Sequence, residues 1–134
     1  MSERDEKQHP GRHGLDGARI LVVEDEYYLA EDLAEALKEA GAEVVGPVGS
    51  LRQAEAPLAA GGLDGAVLDM NLRGEHAFAL AERLRAAQVP LVIVSGYSAE
   101  ALPDSLAAIP RLEKPVDSTH AVKALARAIA DRTG

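Results

Sequence analysis

Cysteine is absent from the 134 residues, which excludes disulfide bonds and thiol chemistry. Aromatic residues are scarce, with one Phe, three Tyr and no Trp, so a folded core must be built from aliphatic side chains. Positive charge is outnumbered, because 14 Lys and Arg against 22 Asp and Glu leave a formal net charge of -8. That sign argues against non-specific binding to nucleic acid or to an anionic membrane surface. No apolar run is long enough for a membrane span or a signal peptide, and a cytoplasmic location is expected.

Hydrophobic residues nevertheless make up 47% of the chain, as in globular proteins. Residues 1–16 are polar and lack periodicity, and they are predicted to be a disordered leader to one folded domain over 17–134. Within the domain, short apolar runs typical of buried strands alternate with segments of helical spacing. This alternation predicts an α/β fold in which a doubly wound, five-stranded parallel sheet is covered by helices on both faces.

The predicted strands are Ile20–Val23, Val44–Val45, Ala66–Asp69, Leu91–Val94 and Arg111–Glu113. The predicted helices are 27–40, the stretch between Ser50 and Gly61, 76–87, and a last helix capped by Asp117 or Ser118. Residues 98–110 contain two prolines and few large apolar residues, so any helix there should be short and weak.

Asp69 follows three apolar residues at the end of the third predicted strand. Taken alone, this carboxylate is equally compatible with starting a turn or capping the next helix. Parallel strands, however, place all their carboxyl ends on one edge, which is where open sheets bind ligands. The residues collected at that edge are Glu24, Asp25 and Glu26 from the first strand, Asp69 from the third, Ser95 from the fourth and Lys114 from the fifth.

Several carboxylates at one edge repel one another and raise one another's pKa unless a cation accompanies them. Mg²⁺ is suited to such a place, because it prefers oxygen ligands and takes only a few carboxylates. Asp69 can then act as a nucleophile that forms an aspartyl-phosphate. Lys114 would supply positive charge, and Ser95 a hydroxyl donor, to the phosphoryl oxygens. The set is chemically complete for accepting one phosphoryl group.

Four segments resemble the response-regulator receiver domains of two-component signalling, a resemblance that extends from Arg19 to Arg132. They are Ile-Leu-Val-Val-Glu-Asp-Glu at 20–26, Val-Leu-Asp-Met-Asn-Leu at 67–72, Val-Ser-Gly at 94–96 and Lys-Pro at 114–115. Each segment is weak evidence alone, but four in this order, each ending a strand, are a specific signal. The resemblance implies the flavodoxin-like strand order 2-1-3-4-5.

Within this resemblance, roles carry over by position. Asp69 matches the phospho-acceptor, Ser95 the switch hydroxyl, and Lys114 the site lysine, whose bond to Pro115 is expected to be cis. The Mg²⁺ ligands would be Asp25, Asp69, the main-chain carbonyl of Asn71 and, mainly through water, Glu24. The phosphoryl donor would be a sensor histidine kinase, with a histidine phosphotransfer protein as a second partner.

One position departs from the family pattern, since Arg111 stands where an aromatic residue usually precedes Lys114 by three. An aromatic residue, Tyr97, instead stands two residues after Ser95. The run Val-Ile-Val-Ser-Gly-Tyr at 92–97 resembles a subgroup of mostly stand-alone receivers with a Phe-Ala-Thr-Gly-Gly/Tyr-Tyr type motif. The kinases of that subgroup are often of non-standard histidine-kinase families. Phosphorylation is therefore predicted to draw in Ser95, reposition Tyr97 and order residues 98–110. The partner surface would comprise that segment with Arg111, Val122 and Lys123.

The favoured function is a stand-alone receiver, not a conventional enzyme, that signals by protein contact, since no DNA-binding or catalytic domain is expected to follow. One alternative is an interaction module that works without phosphorylation. It would be expected to lose some of Asp25, Asp69, Ser95 and Lys114, and all four are present. The other is a Mg²⁺-dependent phosphohydrolase of the haloacid-dehalogenase type, which needs an acid where this chain has Asn71.

Overall fold

The computed structural model describes residues 14–96 and 102–133. Its strands are β1 (Arg19–Val23), β2 (Glu43–Val48), β3 (Gly65–Asp69), β4 (Asn71–Leu72), β5 (Glu75–His76), β6 (Leu91–Ser95) and β7 (Arg111–Glu113). Its α-helices are α1 (Tyr27–Glu39), α2 (Leu51–Ala60), α3 (Phe78–Ala86) and α4 (Ser118–Thr133), with a 3-10 helix at Asp104–Leu106. Of these helices, none has both the length and the apolar character that crossing a membrane requires.

Five strands form one sheet in the order β2-β1-β3-β6-β7, and every neighbouring pair is parallel. Counted along the chain without the short β4 and β5, this order is 2-1-3-4-5, so the predicted flavodoxin-like topology is confirmed. Because β1, β3 and β6 are internal, their side chains are buried on both faces and their sequences are apolar almost throughout. Pro47 lies in β2, an edge strand where a missing N–H is tolerated.

Alternate residues of the central strands pack on opposite faces of the sheet, which divides the core in two. On one face the strand residues pack against α2 and α3, for example Leu68 and Ile93 against Leu84. The other face packs against α1 and α4, for example Val67 against Leu33 and Leu125. The helices therefore cover both faces, as the alternation of strand and helix predicts.

Two predicted helix starts are confirmed by capping hydrogen bonds. The Ser50 hydroxyl accepts from the main-chain N–H of Gln53 at 3.1 Å, at the start of α2. The Asp117 carboxylate accepts from the N–H of Thr119 at 2.9 Å, so Asp117 caps α4. In the described part of 98–110, the regular structure is the single 3-10 turn Asp104–Leu106, consistent with the predicted short, weak helix. Residues 98–101 lie outside the described residues.

The prediction of a helix starting at His76 was wrong by two residues, because β4 and β5 form a small antiparallel hairpin before α3. Its turn is Arg73-Gly74, with φ of 53° and 89°. Two consecutive positive φ values are typical of the tight turns that join antiparallel strands. The hairpin follows β3 directly and so lies beside Asp69.

Leu15 is 1% exposed and packs in the core face shared by α1 and α4. The turn around it is fixed by hydrogen bonds from the N–H of Ala18 to the Leu15 carbonyl and from the N–H of Gly17 to the Gly41 carbonyl, each 2.9 Å. Residues 14–16 therefore pack with the folded domain, which the sequence predicts to begin only at residue 17. One apolar residue in a polar run has no periodicity by which to recognise it.

We expect Leu15→Ala to lower the free energy of unfolding by about 2–4 kcal/mol, the usual cost of emptying a fully buried leucine site. Chemical denaturation of the variant and of wild type measures the difference. Tyr28→Ala serves as the control, because Tyr28 is 78% exposed and its truncation should change stability by less than about 0.5 kcal/mol. Equal stability of Leu15→Ala and wild type would show that residues 14–16 do not belong to the cooperative core.

Candidate functional site

The strand register brings Glu24 and Asp69 together. Val23, the last residue of β1, pairs with Leu68 of β3, so the next residue of each strand emerges at the same edge. The Glu24 N–H also donates to the Val48 carbonyl at 2.9 Å, which holds its main chain against the end of β2. Both carboxylates are therefore positioned by the sheet itself.

Ser95 and Lys114 join the same edge from the other side. Asp69 pairs with Val94 of β6, which places Ser95 one residue beyond that pair. The Lys114 N–H donates to the Ser95 carbonyl at 2.8 Å and so continues the β6–β7 ladder. The Lys114–Pro115 peptide bond is cis, as the resemblance implies, and Gly46–Pro47 is also cis.

Glu24, Asp25 and Asp69 form a tight acidic cluster. One carboxylate oxygen from each lies within 4.8 Å of the other two. Glu24 is 3% exposed and Asp69 2% exposed, whereas Asp25 is intermediate. Three carboxylates at this separation, two of them buried, require nearby positive charge if they are to stay ionised together.

Lys114 supplies part of that charge. Its ammonium Nζ lies 3.0 Å from Asp69 Oδ2, 3.3 Å from Glu24 Oε2 and 3.4 Å from Glu26 Oε1. The Lys114 side chain is 25% exposed, so its head group is only partly hydrated. Charge-assisted hydrogen bonds of this kind are the strong ones in proteins, and the contact with buried Asp69 is the shortest of the three.

The titration behaviour of this cluster follows from burial and charge. Burial raises the pKa of the Glu24 carboxyl to about 7, and the neighbouring charge of Asp69 adds to the rise, while the Glu26 N–H and Lys114 oppose it. Burial lowers the pKa of the Lys114 ammonium, but the hydrogen bond and charge of Asp69, with those of Glu24, outweigh burial and leave this pKa above its ordinary value. Lys114 therefore stays protonated, and a further positive charge beside the cluster would favour the ionised form of Glu24.

Asn71 fixes the second oxygen of Asp69. Its main-chain N–H donates to Asp69 Oδ1 at 3.0 Å, while its side-chain oxygen accepts from the Gly74 N–H at 2.8 Å. One residue thus orients the Asp69 carboxylate and closes the β4–β5 turn. The ligand role predicted for the Asn71 carbonyl stays a prediction.

Two buried side-chain oxygens of the described residues, Glu24 Oε1 and Ser95 Oγ, have no hydrogen-bond partner. Buried polar atoms in folded proteins nearly always have a hydrogen-bond partner, so two unpartnered atoms at one strand edge indicate a place where a ligand can bind. A hydrated hard cation would give Glu24 Oε1 a partner, and a phosphoryl oxygen would give Ser95 Oγ one. The oxygen-only donor set of Glu24, Asp25 and Asp69 fits Mg²⁺, which prefers such ligands.

Some contacts of the site were not predicted. Arg73, in the hairpin turn, places its Nε 3.7 Å from Asp25 Oδ2. Glu26 was expected at this edge, but its contact with Lys114 was not. Because Arg73 is a charged residue in a Gly-containing turn soon after Asp69, its sequence position could have marked it as close to the site. Its pairing with Asp25 could not be predicted, because it depends on the geometry of the hairpin. Tyr97, predicted as part of the switch, lies outside the described residues.

The fold and the edge chemistry define a class of protein, namely doubly wound α/β domains whose strand ends present carboxylates and a lysine to a ligand. The family model for response regulator receiver domains matches residues 20–126, and the chain belongs to this family. Receiver domains are signalling modules that take phosphoryl groups from histidine kinases and bind Mg²⁺ in an acidic pocket.

A curated relative is the transcriptional regulatory protein TcrA of Mycobacterium tuberculosis, 39% identical over 94 residues. The match covers 67% of this chain and 37% of TcrA, so the chain spans little more than a third of that relative.

Among solved structures, SdrG from Sphingomonas melonis Fr1 is 34% identical with a TM-score of 0.73, covering 87% of this chain and 98% of SdrG. The receiver domain of a sensor histidine kinase from Pseudomonas aeruginosa PAO1 has 22% identity and a TM-score of 0.70, covering 85% and 98% of the two chains. That structure contains a magnesium ion in its active-site cleft, and its likeness to this chain is one of fold alone.

Proposed function

We propose that this receiver domain accepts a phosphoryl group on Asp69 from a sensor histidine kinase, in a Mg²⁺-dependent reaction in the cytoplasm. The observation that carries the proposal is the contact of Lys114 Nζ with Asp69 Oδ2 at 3.0 Å, within an acidic cluster that fits a hard cation. An ammonium group that contacts the nucleophile can also stabilise the negative charge that develops on the oxygens of the transferred phosphoryl group.

The chemistry assigned to these residues is a displacement at phosphorus. An Asp69 carboxylate oxygen forms the new O–P bond, the P–N bond of the donor phosphohistidine breaks, and its electron pair leaves with the imidazole nitrogen. The Asn71 N–H and Lys114 hold the two Asp69 oxygens, so the nucleophile is oriented before the donor arrives. The buried Ser95 hydroxyl, which lacks a partner, is the donor proposed for a phosphoryl oxygen.

The residues proposed to hold Mg²⁺ are Asp25, Asp69, the Asn71 carbonyl and, through water, Glu24. The bound cation would neutralise charge on the carboxylates and on the phosphoryl oxygens. Asp25 is suited to direct ligation because it is half-buried and belongs to the cluster without contacting Lys114 in the described residues. Glu24 keeps one oxygen on Lys114 and the other without a partner, which suits an outer ligand.

The experiment that tests this function is incubation of the full chain with a small phosphodonor such as acetyl phosphate, followed by intact-mass measurement. We expect the mass of one phosphoryl group with Mg²⁺ present and none when a chelator removes the cation. Phosphoryl uptake that is insensitive to the chelator would contradict the metal dependence. No uptake under either condition would favour the interaction module that works without phosphorylation.

The phosphohydrolase alternative has less support. The position two residues beyond Asp69 is Asn71, and its side chain closes the hairpin turn instead of facing the reacting group as an acid. Continuous release of phosphate from the donor, many turnovers beyond one per chain, would nevertheless favour the hydrolase.

The manner of output also belongs to the proposal. The stand-alone assignment rests on the resemblance around Ser95 and Tyr97. Ser95 and Tyr97 are proposed to couple phosphorylation to residues 98–110 and to a surface with β7 and α4. A histidine phosphotransfer protein is the second proposed phosphoryl partner.

A further inference from the structure

Arg73 is a second cation at the acidic edge. Its Nε lies 3.7 Å from Asp25 Oδ2, and its side chain is 82% exposed, against 17% for Asp25. Lys114 contacts Glu24, Glu26 and Asp69, so the two cations divide the acids between them and Asp25 pairs with Arg73.

The hairpin turn fixes the position of the Arg73 main chain. Arg73 has φ of 53°, a left-handed conformation that bulky side chains adopt only when the surrounding turn enforces it. The turn is closed by the hydrogen bond from the Gly74 N–H to the Asn71 side chain, and Asn71 in turn holds Asp69. The main chain of Arg73 is therefore tied to the site, while its long exposed side chain can leave Asp25 without disturbing the fold.

Formal charges show what this pairing does. Among the described residues of this edge, the acids Glu24, Asp25, Glu26 and Asp69 contribute four negative charges when Glu24 is ionised, and Lys114 and Arg73 contribute two positive ones. These residues are then left with two negative charges, which a divalent cation balances. A cation that binds the cluster through the Asp25 carboxylate shares that carboxylate with Arg73 and meets the repulsion of the guanidinium.

We propose that Arg73 competes with the divalent cation for Asp25 and thereby weakens cation binding to this receiver domain. This inference rests on the metal site of the proposed function. It assigns Arg73 as a positioning residue, which acts on Asp25 and not on the phosphoryl group. An exposed ion pair of this length is weak, so the competition tunes the affinity without closing the site.

The test is a calorimetric titration of the full chain with MgCl₂ at low ionic strength. We expect Arg73→Gln to bind Mg²⁺ about threefold to tenfold more tightly than wild type, because it loses both the ion pair and the repulsion. Arg73→Lys keeps the charge and should remain within about twofold of wild type. The gain of Arg73→Gln should shrink at high ionic strength, since salt screens exposed charges.

The matched control is Arg83→Gln, which removes the same charge from α3, where Arg83 pairs with exposed Glu55 at 2.8 Å. We expect its Mg²⁺ affinity to equal that of wild type. An equal gain in Arg83→Gln and Arg73→Gln would overturn the proposal in favour of a net-charge effect. An affinity of Arg73→Gln unchanged from wild type would overturn it outright.

Asp25→Ala separates this inference from the proposed function. If Asp25→Ala loses Mg²⁺ affinity while Arg73→Gln stays at the wild-type value, the metal site stands and the role of Arg73 is wrong. If Asp25→Ala binds Mg²⁺ as wild type does, or wild type does not bind it, both proposals fail together.

Discussion

Asp69→Asn is expected to abolish phosphoryl uptake from a small phosphodonor in the presence of Mg²⁺. The amide has the shape of the carboxylate and can still accept the Asn71 N–H, but its neutral oxygen is a poor nucleophile. The substitution also removes one of the three carboxylates of the acidic cluster, which weakens cation binding. Intact-mass measurement over time should show a wild-type protein that gains one phosphoryl group and a variant that gains none.

The same substitution at the opposite end of β3 provides the control. Asp64 accepts from the Arg19 N–H at 2.9 Å, just before the strand begins and away from the acidic cluster. Asp64→Asn should take up a phosphoryl group as fast as wild type. Uptake by Asp69→Asn at a rate close to that of wild type would remove Asp69 from the reaction.

Lys114→Met is expected to slow phosphoryl uptake by about 100-fold to 1,000-fold, the usual effect of removing one preorganised donor from a site where charge develops. Methionine keeps much of the aliphatic stem but loses the ammonium that contacts Asp69 and Glu24. Initial rates from a time course of intact mass measure the effect.

Lys123→Met serves as the control for Lys114→Met, because Lys123 is exposed on α4 and should not alter the rate. Thermal unfolding of each variant shows whether it is folded. If Lys114→Met is unstable, Lys114→Arg takes its place: this variant keeps the charge and should take up phosphoryl groups faster than Lys114→Met. A folded Lys114→Met protein within about threefold of the wild-type rate would contradict the role of Lys114.

The sheet could be predicted because the sequences of its strands are short apolar runs, and segments with helical spacing of apolar residues separate them. Ile20, Val67 and Ile93 each lie in such a run, and each is buried in the central strands. The parallel topology then places the carboxyl ends of the strands at one edge of the sheet. Residues as far apart in sequence as Glu24 and Lys114, which are 90 residues apart, therefore come into contact. The acidic cluster therefore followed from residue types at strand ends without knowledge of the strand register.

The hairpin, Leu15 and the Arg73 contact could not be predicted in the same way. Two-residue strands such as Asn71–Leu72 are too short to show a period of two, so neither strand is predicted, and His76 falls in the predicted helix 76–87. Leu15 is one apolar residue in a polar run, and its burial depends on the helices that meet over it. The Arg73–Asp25 pair depends on the turn geometry and on the β1–α1 loop together, and neither is visible in local sequence.

The most direct test of the account locates the phosphoryl group in the wild-type protein. After phosphorylation with Mg²⁺, borohydride reduces an aspartyl-phosphate to the corresponding alcohol, and peptide mass spectrometry then identifies the altered residue. The account predicts a single altered residue, Asp69, and no alteration in a sample prepared with a chelator. Reduction mapped to another residue such as Asp25 or Glu24, with Asp69 unchanged, would contradict it.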